Sequence, residues 1–351
     1  TVLSVMTGFH EDLQAKILGV NSHIVVLSYE GRMRDHDAIR GKINKVDGVI
    51  GSAPFVYGQV MLRSGSRVQG IIVRGVDPVI GAATTDILHN LKMGSVDDLK
   101  GDQEIPGIII GRELMRNLGL FVGDVIEMIS PIGEMGPLGM IPKMKKFKVT
   151  CYFEAGMYEY DSNLAFVNLR AAQQFLKYDD SVTGIEVKIV DLYNAGEMAE
   201  RIDHLLDPPY YTRDWMQMNR NLFSALKLEK IVMFIILTLI ILVASFNIIS
   251  NLIMIVIEKG REIAIMKTMG ATNRGIMTIF MIHGLIIGIT GTVIGVIGGY
   301  GLCQLLKTYK FINLPADVYY LSYLPVKMSL FDYTVVPAAA ILFTFMATLY
   351  P

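Results

Sequence analysis

Glu258-Lys-Gly-Arg-Glu-Ile-Ala-Ile-Met-Lys-Thr-Met-Gly-Ala-Thr-Asn-Arg274 is a short, charged, glycine-broken stretch between two long apolar segments. Residues 231–257 before it and 275–306 after it carry no charged side chain. At ~1.5 Å of rise per helical residue each segment reaches roughly 40 Å or more, against a hydrocarbon core of about 30 Å. Both are predicted to span a membrane, so the stretch between them turns the chain at one face of the bilayer. Lys259, Arg261, Lys267 and Arg274 outnumber Glu258 and Glu262, which puts that face in the cytoplasm by the positive-inside bias. Ile263, Ile265, Met266 and Met269 recur at spacings of three and four, predicting a short amphipathic helix that Gly270 stops. By composition such a helix is either a solvated connector on the lipid headgroups or a coupling helix that docks into a cytoplasmic partner.

The rest of the chain suits a polytopic membrane protein with a large water-soluble part: 351 residues, 52% hydrophobic, with a formal charge of -1. That charge offers no electrostatic case for nucleic acid. Cys151 and Cys303 are the two cysteines, and Cys303 lies inside an apolar span, so no disulfide is expected between them. Thr1-Val-Leu-Ser-Val-Met6 reads as the tail of an apolar helix, and Pro351 follows directly on the apolar run from Tyr333. The sequence is therefore expected to be the ordered part of a longer chain.

In chain order, residues 1–19 are the end of a first membrane helix emerging into water. Strands are predicted at His23–Tyr29, Val56–Arg63, Val68–Val76, Asp124–Ile129, Phe147–Phe153, Leu164–Asn168 and Ile185–Val190. Helices are predicted at Asp35–Val46, from Pro78 to about Leu91, after Gly107-Ile-Ile-Ile-Gly111 up to a Gly119 cap, at Leu169–Leu176 and at Ala195–Leu206. Asp214 is read as the N-cap of a helix that runs straight on into the membrane. Residues 20–215 thus form one α+β region, on the opposite side of the bilayer from the 258–274 stretch. The second membrane helix is 216–257, the third 275–307 and the fourth 332–351, with an extracytoplasmic loop at 308–331.

The third helix carries Gly284, Gly288, Gly291, Gly295 and Gly298 on one stripe, the pattern that lets a neighbouring backbone approach closely. Asn247, Asn251 and His283 read as hydrogen-bonding groups within a helix bundle. Enzyme signatures are missing from the sequence: no G-x-x-x-x-G-K-[ST], no H-E-x-x-H, no C-x-x-C, no G-x-S-x-G, and six histidines without metal-ligand spacing. The chain alone is not expected to be an enzyme.

One soluble segment stands out, Ser130-Pro-Ile-Gly-Glu-Met-Gly-Pro-Leu-Gly-Met-Ile-Pro-Lys143. Pro131, Pro137 and Pro142 stiffen it, while Met135, Leu138, Met140 and Ile141 are apolar and Lys143 adds a charge. It suits either a partner-binding loop of fixed shape or an ordinary long hairpin whose apolar residues fold back on the domain.

Arg261-Glu-Ile-Ala-Ile-Met-Lys-Thr-Met-Gly-Ala271 resembles the coupling-helix motif of FtsX-like and MacB-type ABC permeases, and the whole chain resembles the lipoprotein-releasing permeases LolC and LolE. The resemblance implies an α-helical membrane bundle with four spanning helices in the full chain, plus an extracytoplasmic α+β domain. That domain would have an outer layer, about 20–60 and 180–215, and an inserted β-rich subdomain, about 61–179. It implies that Glu258, Lys259, Arg261, Glu262, Ile263, Met266, Lys267 and Gly270 couple to a separate cytoplasmic ABC ATPase dimer, where ATP and Mg would bind; no cofactor is expected in this chain. Gly-Pro-Leu-Gly-Met-Ile-Pro-Lys143 matches the hook by which LolC-type subunits capture a periplasmic carrier, implicating Pro131, Pro137, Leu138, Met140, Ile141, Pro142 and Lys143.

In Leu314-Pro-Ala-Asp-Val-Tyr-Tyr-Leu-Ser-Tyr-Leu-Pro325 the resemblance places Tyr319 and Tyr320 at the cavity where lipid-modified cargo enters. Met6, Phe9, Met233, Phe234 and Leu237 lie near the same level and are further candidates for its lining. The implied function is extraction of lipoproteins from the bacterial inner membrane and their transfer to the carrier. A second permease subunit, identical or a paralogue, would face this one. The alternatives are an FtsX-like signalling permease that activates a cell-wall hydrolase, and a MacB-like efflux permease.

Overall fold

The structure, a computed structural model, describes residues 1–81, 84–89, 91–100, 104–136, 139–309 and 325–348. The chain divides into two compact units, one built on Leu13–Arg220 and the other on Thr1–Asp12 and the helices after Arg220.

The first unit is an α+β domain. Its strands are β1 (Ile24–Ser28), β2 (Val49–Ser64), β3 (Arg67–Val76), β4 (Leu91–Lys92), β5 (Gly107–Gly111), β6 (Val125–Gly136), β7 (Gly139–Phe153), β8 (Leu164–Asn168), β9 (Gly184–Ile189) and β10 (Tyr210–Asp214). α1 (Val2–Val20) leads in; α2 (His36–Ile43), α3 (Arg112–Leu118), α4 (Tyr158–Asn163), α5 (Leu169–Leu176), α6 (Ala195–Leu205) and α7 (Trp215–Met218) complete it. The sheet order is β10-β1-β9-β2-β3-β8-β5-β7-β4, and β6 pairs with both β2 and β7. Those last two pairings close β2, β3, β8, β5, β7 and β6 into a ring.

Alternation along the strands explains how the ring fills. Leu62, Val73, Ile108, Phe147, Val149 and Val167 are buried on the inner face. α5 closes it: Phe175 meets Phe147 edge-on, centroids 6.2 Å apart, and a Cβ on Gly58 would sit 2.6 Å from Leu176. On the outer face Phe153 and Phe166 pack edge-on at 5.5 Å, within a core that also holds Val20, Ile87, Leu88, Leu99, Ile109 and Cys151. β2 runs through both the ring and the outer strands β1, β9 and β10. The boundary expected near residue 60 therefore falls inside one continuous strand.

Three sequence expectations need correction. Among the described residues of 78–91 there is no α-helix: they form turns, 3-10 structure at Gly81 and at Asp86–His89, and the start of β4. Local side-chain bonds compete with a helix there, since Asp77 Oδ1 accepts from the Val79 and Ile80 amides at 2.8 and 3.1 Å, and Thr84 Oγ1 donates to the Gly81 carbonyl at 3.0 Å. Residues 130–136 and 139–143 are not an unpaired loop but paired extensions of β6 and β7, the long-hairpin alternative. Pairing continues from Ser130–Lys143 to Glu134–Ile141 and Gly136–Gly139. The register shifts between Ser130 and Glu134, where Pro131 lies, a residue with no amide proton to donate to the ladder. Finally, Asp214 does cap a helix, its Oδ1 accepting from Gln217 N at 2.8 Å, but that helix is the four-residue α7. The backbone breaks from helical geometry at Asn219 (φ -109, ψ 29) before α8 begins.

The second unit contains α8 (Arg220–Glu258), α9 (Gly260–Thr268), α10 (Asn273–Tyr309) and α11 (Leu330–Thr348). Among the described residues α8 and α10 are long and apolar enough to cross a membrane, and α11 has a shorter apolar run, Tyr333–Met346. α10 and α11 pack through small residues. Gly284 lies against Thr348 and Gly288 against Thr344, with no space for a side chain at either glycine. Both threonine hydroxyls donate back into their own helix, to Phe345 and Ala340, which leaves their methyls for the contact.

Candidate functional site

The turn between α8 and α10 is built as its residues dictate. Lys259 stands at the N-cap of α9, its Nζ 2.6 Å from Glu262 Oε1, and this pairing raises the lysine pKa. At the other end Gly270 takes φ 100, its amide donates to Lys267 O, and Ala271 N donates to Met266 O, both at 3.0 Å. These are the two bonds of a Schellman ending, which needs a residue free to adopt the left-handed conformation. No residue of α9 is buried. Glu258, Lys259, Arg261, Glu262 and Lys267 are exposed, Ile263 and Met266 half-buried, Ile265 and Met269 exposed. Among the described residues α9 is thus a helix whose charges and apolar ridge are left uncovered.

The hairpin projects beyond the ring, because β6 pairs with β2 only at Met61–Arg63 and β7 with β5 only from Lys148 onward. Pro131 and Pro142 are exposed at its base. Pro137 and Leu138 lie outside the described residues, and for Met140 and Ile141 the backbone alone is described, as part of β7. Lys143 is turned towards α5: its Nζ donates to Gln174 O at 2.8 Å and stands 6.0 Å from the Phe175 ring centre.

The expected cavity residues are not gathered into one described site. Met6, Phe9, Met233 and Leu237 are half-buried and Phe234 is 69% exposed, while Tyr319 and Tyr320 lie outside the described residues. The glycine stripe is divided. Gly284 and Gly288 are filled by α11, whereas a Cβ on Gly291, Gly295 or Gly298 would have nothing within 4 Å among the described residues. Asn247, Asn251 and His283 are exposed in this chain.

Two features escaped the sequence reading. A Cβ on Gly8 of α1 would lie 2.7 Å from Pro325 O; there Lys327 N donates to Ser4 O at 2.9 Å and its ammonium pairs with Glu11. A glycine inside an apolar helix was the available signal. The other is Arg74, which is 6% exposed, pairs with the buried carboxylate of Glu186 and donates from Nη1 to Val20 O, the last residue of α1, at 3.2 Å. Burial pulls this guanidinium down to about 10, which leaves it charged at neutral pH.

Comparison with known proteins adds the following. The family described as FtsX-like permease C-terminal matches residues 234–351, and MacB-like periplasmic core domain matches residues 1–205. The chain is 36% identical to the lipoprotein-releasing system transmembrane protein LolC of Xylella fastidiosa (strain Temecula1 / ATCC 700964), over 100% of this chain and 86% of the relative. It is 33% identical to LolC of Neisseria meningitidis serogroup B, again over 100% and 86%. It is 30% identical to LolE of Haemophilus influenzae, over 99% and 86%.

Proposed function

The chain belongs to the LolC/LolE family of lipoprotein-releasing FtsX-like permeases, and on that premise we propose that it is a transmembrane permease subunit of an inner-membrane ABC transporter that extracts lipoproteins. The observation that carries this reading is the extent of the match, which runs through both the extracytoplasmic domain and the helices at 36% identity. A second permease subunit faces this one, and two ATPases lie on the cytoplasmic side. ATP is hydrolysed in those partners, with Mg bound there. The exposed α9 receives their closure through Arg261, Glu262, Ile263, Met266 and Lys267. Acyl chains of the cargo enter between the membrane helices near Met6, Phe9, Met233, Phe234, Leu237, Tyr319 and Tyr320. The cargo then passes to a periplasmic carrier held by the hairpin.

The hairpin is suited to that last step because its prolines limit the freedom lost on docking and, among the described residues, its outer strands pair only with each other. The test is co-purification of the full chain in detergent, followed by titration of the complex with the carrier. An ABC ATPase and a second permease are expected to co-purify, and the carrier to bind at about micromolar strength. Replacing 133–141 by a Gly-Ser turn should abolish carrier binding and leave the domain folded. Equal binding by the shortened protein would remove the carrier role from the hairpin.

A further inference from the structure

One face of the domain sheet is covered along only part of its width. Pairing sets Phe55, Tyr57, Gln59 and Met61 of β2 beside Val76, Arg74, Ile72 and Gly70 of β3, all on that face. Val25 and Leu27 of β1 join them, opposite Glu186 and Gly184. Where β8, β5 and β7 continue the face it is filled by Val20, Ile87, Leu88 and Leu99. Over β2 and β3 it opens instead into a cavity of about 870 Å³ lined mainly by apolar side chains.

We infer that this cavity receives an acyl chain of the lipoprotein cargo after the chain has left the bilayer; the inference rests on the transport reading above. Three observations favour a neutral, chain-like occupant. The charges on the floor, Arg74 and Glu186, are 6% and 3% exposed and compensate one another, and the further charged lining residue, Glu159, is an exposed carboxylate, so an anionic ligand finds no free counter-charge. The volume lies in the upper part of the roughly 300–1,000 Å³ range of small-molecule sites, too small for a folded partner. The walls include Asn21 and Ser22, which follow α1 directly, and Met218 and Asn219, which directly precede α8. By covalent connection alone, the cavity wall begins where the helices that carry the chain to the membrane end. At the rim Tyr57, 42% exposed, and Gln59 offer hydrogen bonds to ester or amide groups at the head of the cargo.

The test uses the full chain with its ATPase in nanodiscs, loaded with a lipoprotein that carries a diazirine near the end of one acyl chain. Irradiation after ATP addition should label the peptide spanning residues 55–72. Gly70→Trp should cut that label about tenfold, since among the described residues nothing lies within 4 Å of a Cβ at Gly70 and the added ring has room to fill the cavity. Met61→Trp, from a residue 39% exposed, is a second filler should the first fail to fold. Label confined to the membrane helices, or label at 55–72 undiminished by either filler, overturns the inference while wild-type release still stands. A parallel arm places the diazirine on a bilayer phospholipid. Equal labelling at 55–72 in that arm makes the occupant membrane lipid and overturns the assignment to cargo. Absence of both cargo labelling and ATP-driven release in the wild type overturns the transport reading, and this inference with it.

Discussion

Gly288 of α10 lies against Thr344 of α11, so that a Cβ on the glycine would come 2.5 Å from the threonine methyl. One turn away Gly284 and Thr348 repeat the contact, while a Cβ on Gly291, Gly295 or Gly298 would meet nothing within 4 Å among the described residues. The two parts of the stripe should therefore respond differently. Gly288→Leu overpacks the α10–α11 contact, at a cost of roughly 1–3 kcal/mol, and should lower the melting temperature of the chain purified alone. Gly291→Leu and Gly295→Leu should leave that temperature unchanged and weaken co-purification of the second permease. If both retain the second permease at wild-type levels, the outer stripe faces lipid.

Met266 is half-buried on a helix with no buried residue, next to exposed Lys267. Met266→Asp puts a charge on the apolar ridge and leaves the sequences of α8 and α10 unchanged. ATP hydrolysis should continue in the reconstituted complex while cargo release falls about tenfold or more. Hydrolysis and release measured together in the same vesicles check this, and unchanged release would remove the coupling role.

Arg74 and Glu186 form a buried pair, and Thr85 Oγ1 adds a contact of 3.4 Å to Glu186 Oε2. Arg74→Met leaves the carboxylate buried without its counter-charge, a loss of about 3–5 kcal/mol. For a domain of this size that corresponds to a drop on the order of 10 °C in melting temperature. Replacing both residues by Met should recover most of it. A double variant as unstable as the single one would show that Arg74 acts through its bond to Val20 O rather than through Glu186.

Asp161 is 5% exposed and accepts from the Ala155 and Gly156 amides at 2.7 and 3.1 Å. Burial outweighs those bonds and raises its pKa from 3.8 to about 6. A folded pKa above the unfolded one means that the folded state binds the proton more tightly. The stabilisation is fully present below about pH 4 and is lost as pH rises through about 6. Thermal melts from pH 4.5 to 7.5 should show the wild type losing more stability than Asp161→Asn. Parallel curves would show that this carboxyl does not titrate in that window.

The long apolar helices α8 and α10, the turn at 258–274 and most strands were legible because each depends on local pattern: uncharged runs, a left-handed glycine, period-two alternation. Gly119 and Gly270 stop their helices at φ 65 and 100, as a Gly after the last turn suggests. Failures came where long-range or side-chain geometry decided. Asp77 and Thr84 diverted 78–91 from a helix, and the shifted register beside Pro131 let a proline-bearing segment remain a hairpin. The ring closure of β6 on β2 has no local signature. The Arg74–Glu186 pair has none either, since a lone arginine in a strand reads as a solvent-facing residue. The candidate site residues stand in the sequence as motifs, and the proposed role of each rests on contacts with other chains, which no pattern within one chain encodes.

The central claim is that this permease moves lipoproteins out of a membrane when another chain hydrolyses ATP. The direct measurement is release from proteoliposomes containing the full chain, its co-purified ATPase and second permease, and a radiolabelled lipoprotein, with soluble carrier outside. Lipoprotein should appear on the carrier only when ATP, Mg and carrier are all present, and hydrolysis-blocking vanadate should stop it. ATP hydrolysis at normal rates with the lipoprotein still in the vesicles under every condition would contradict the claim.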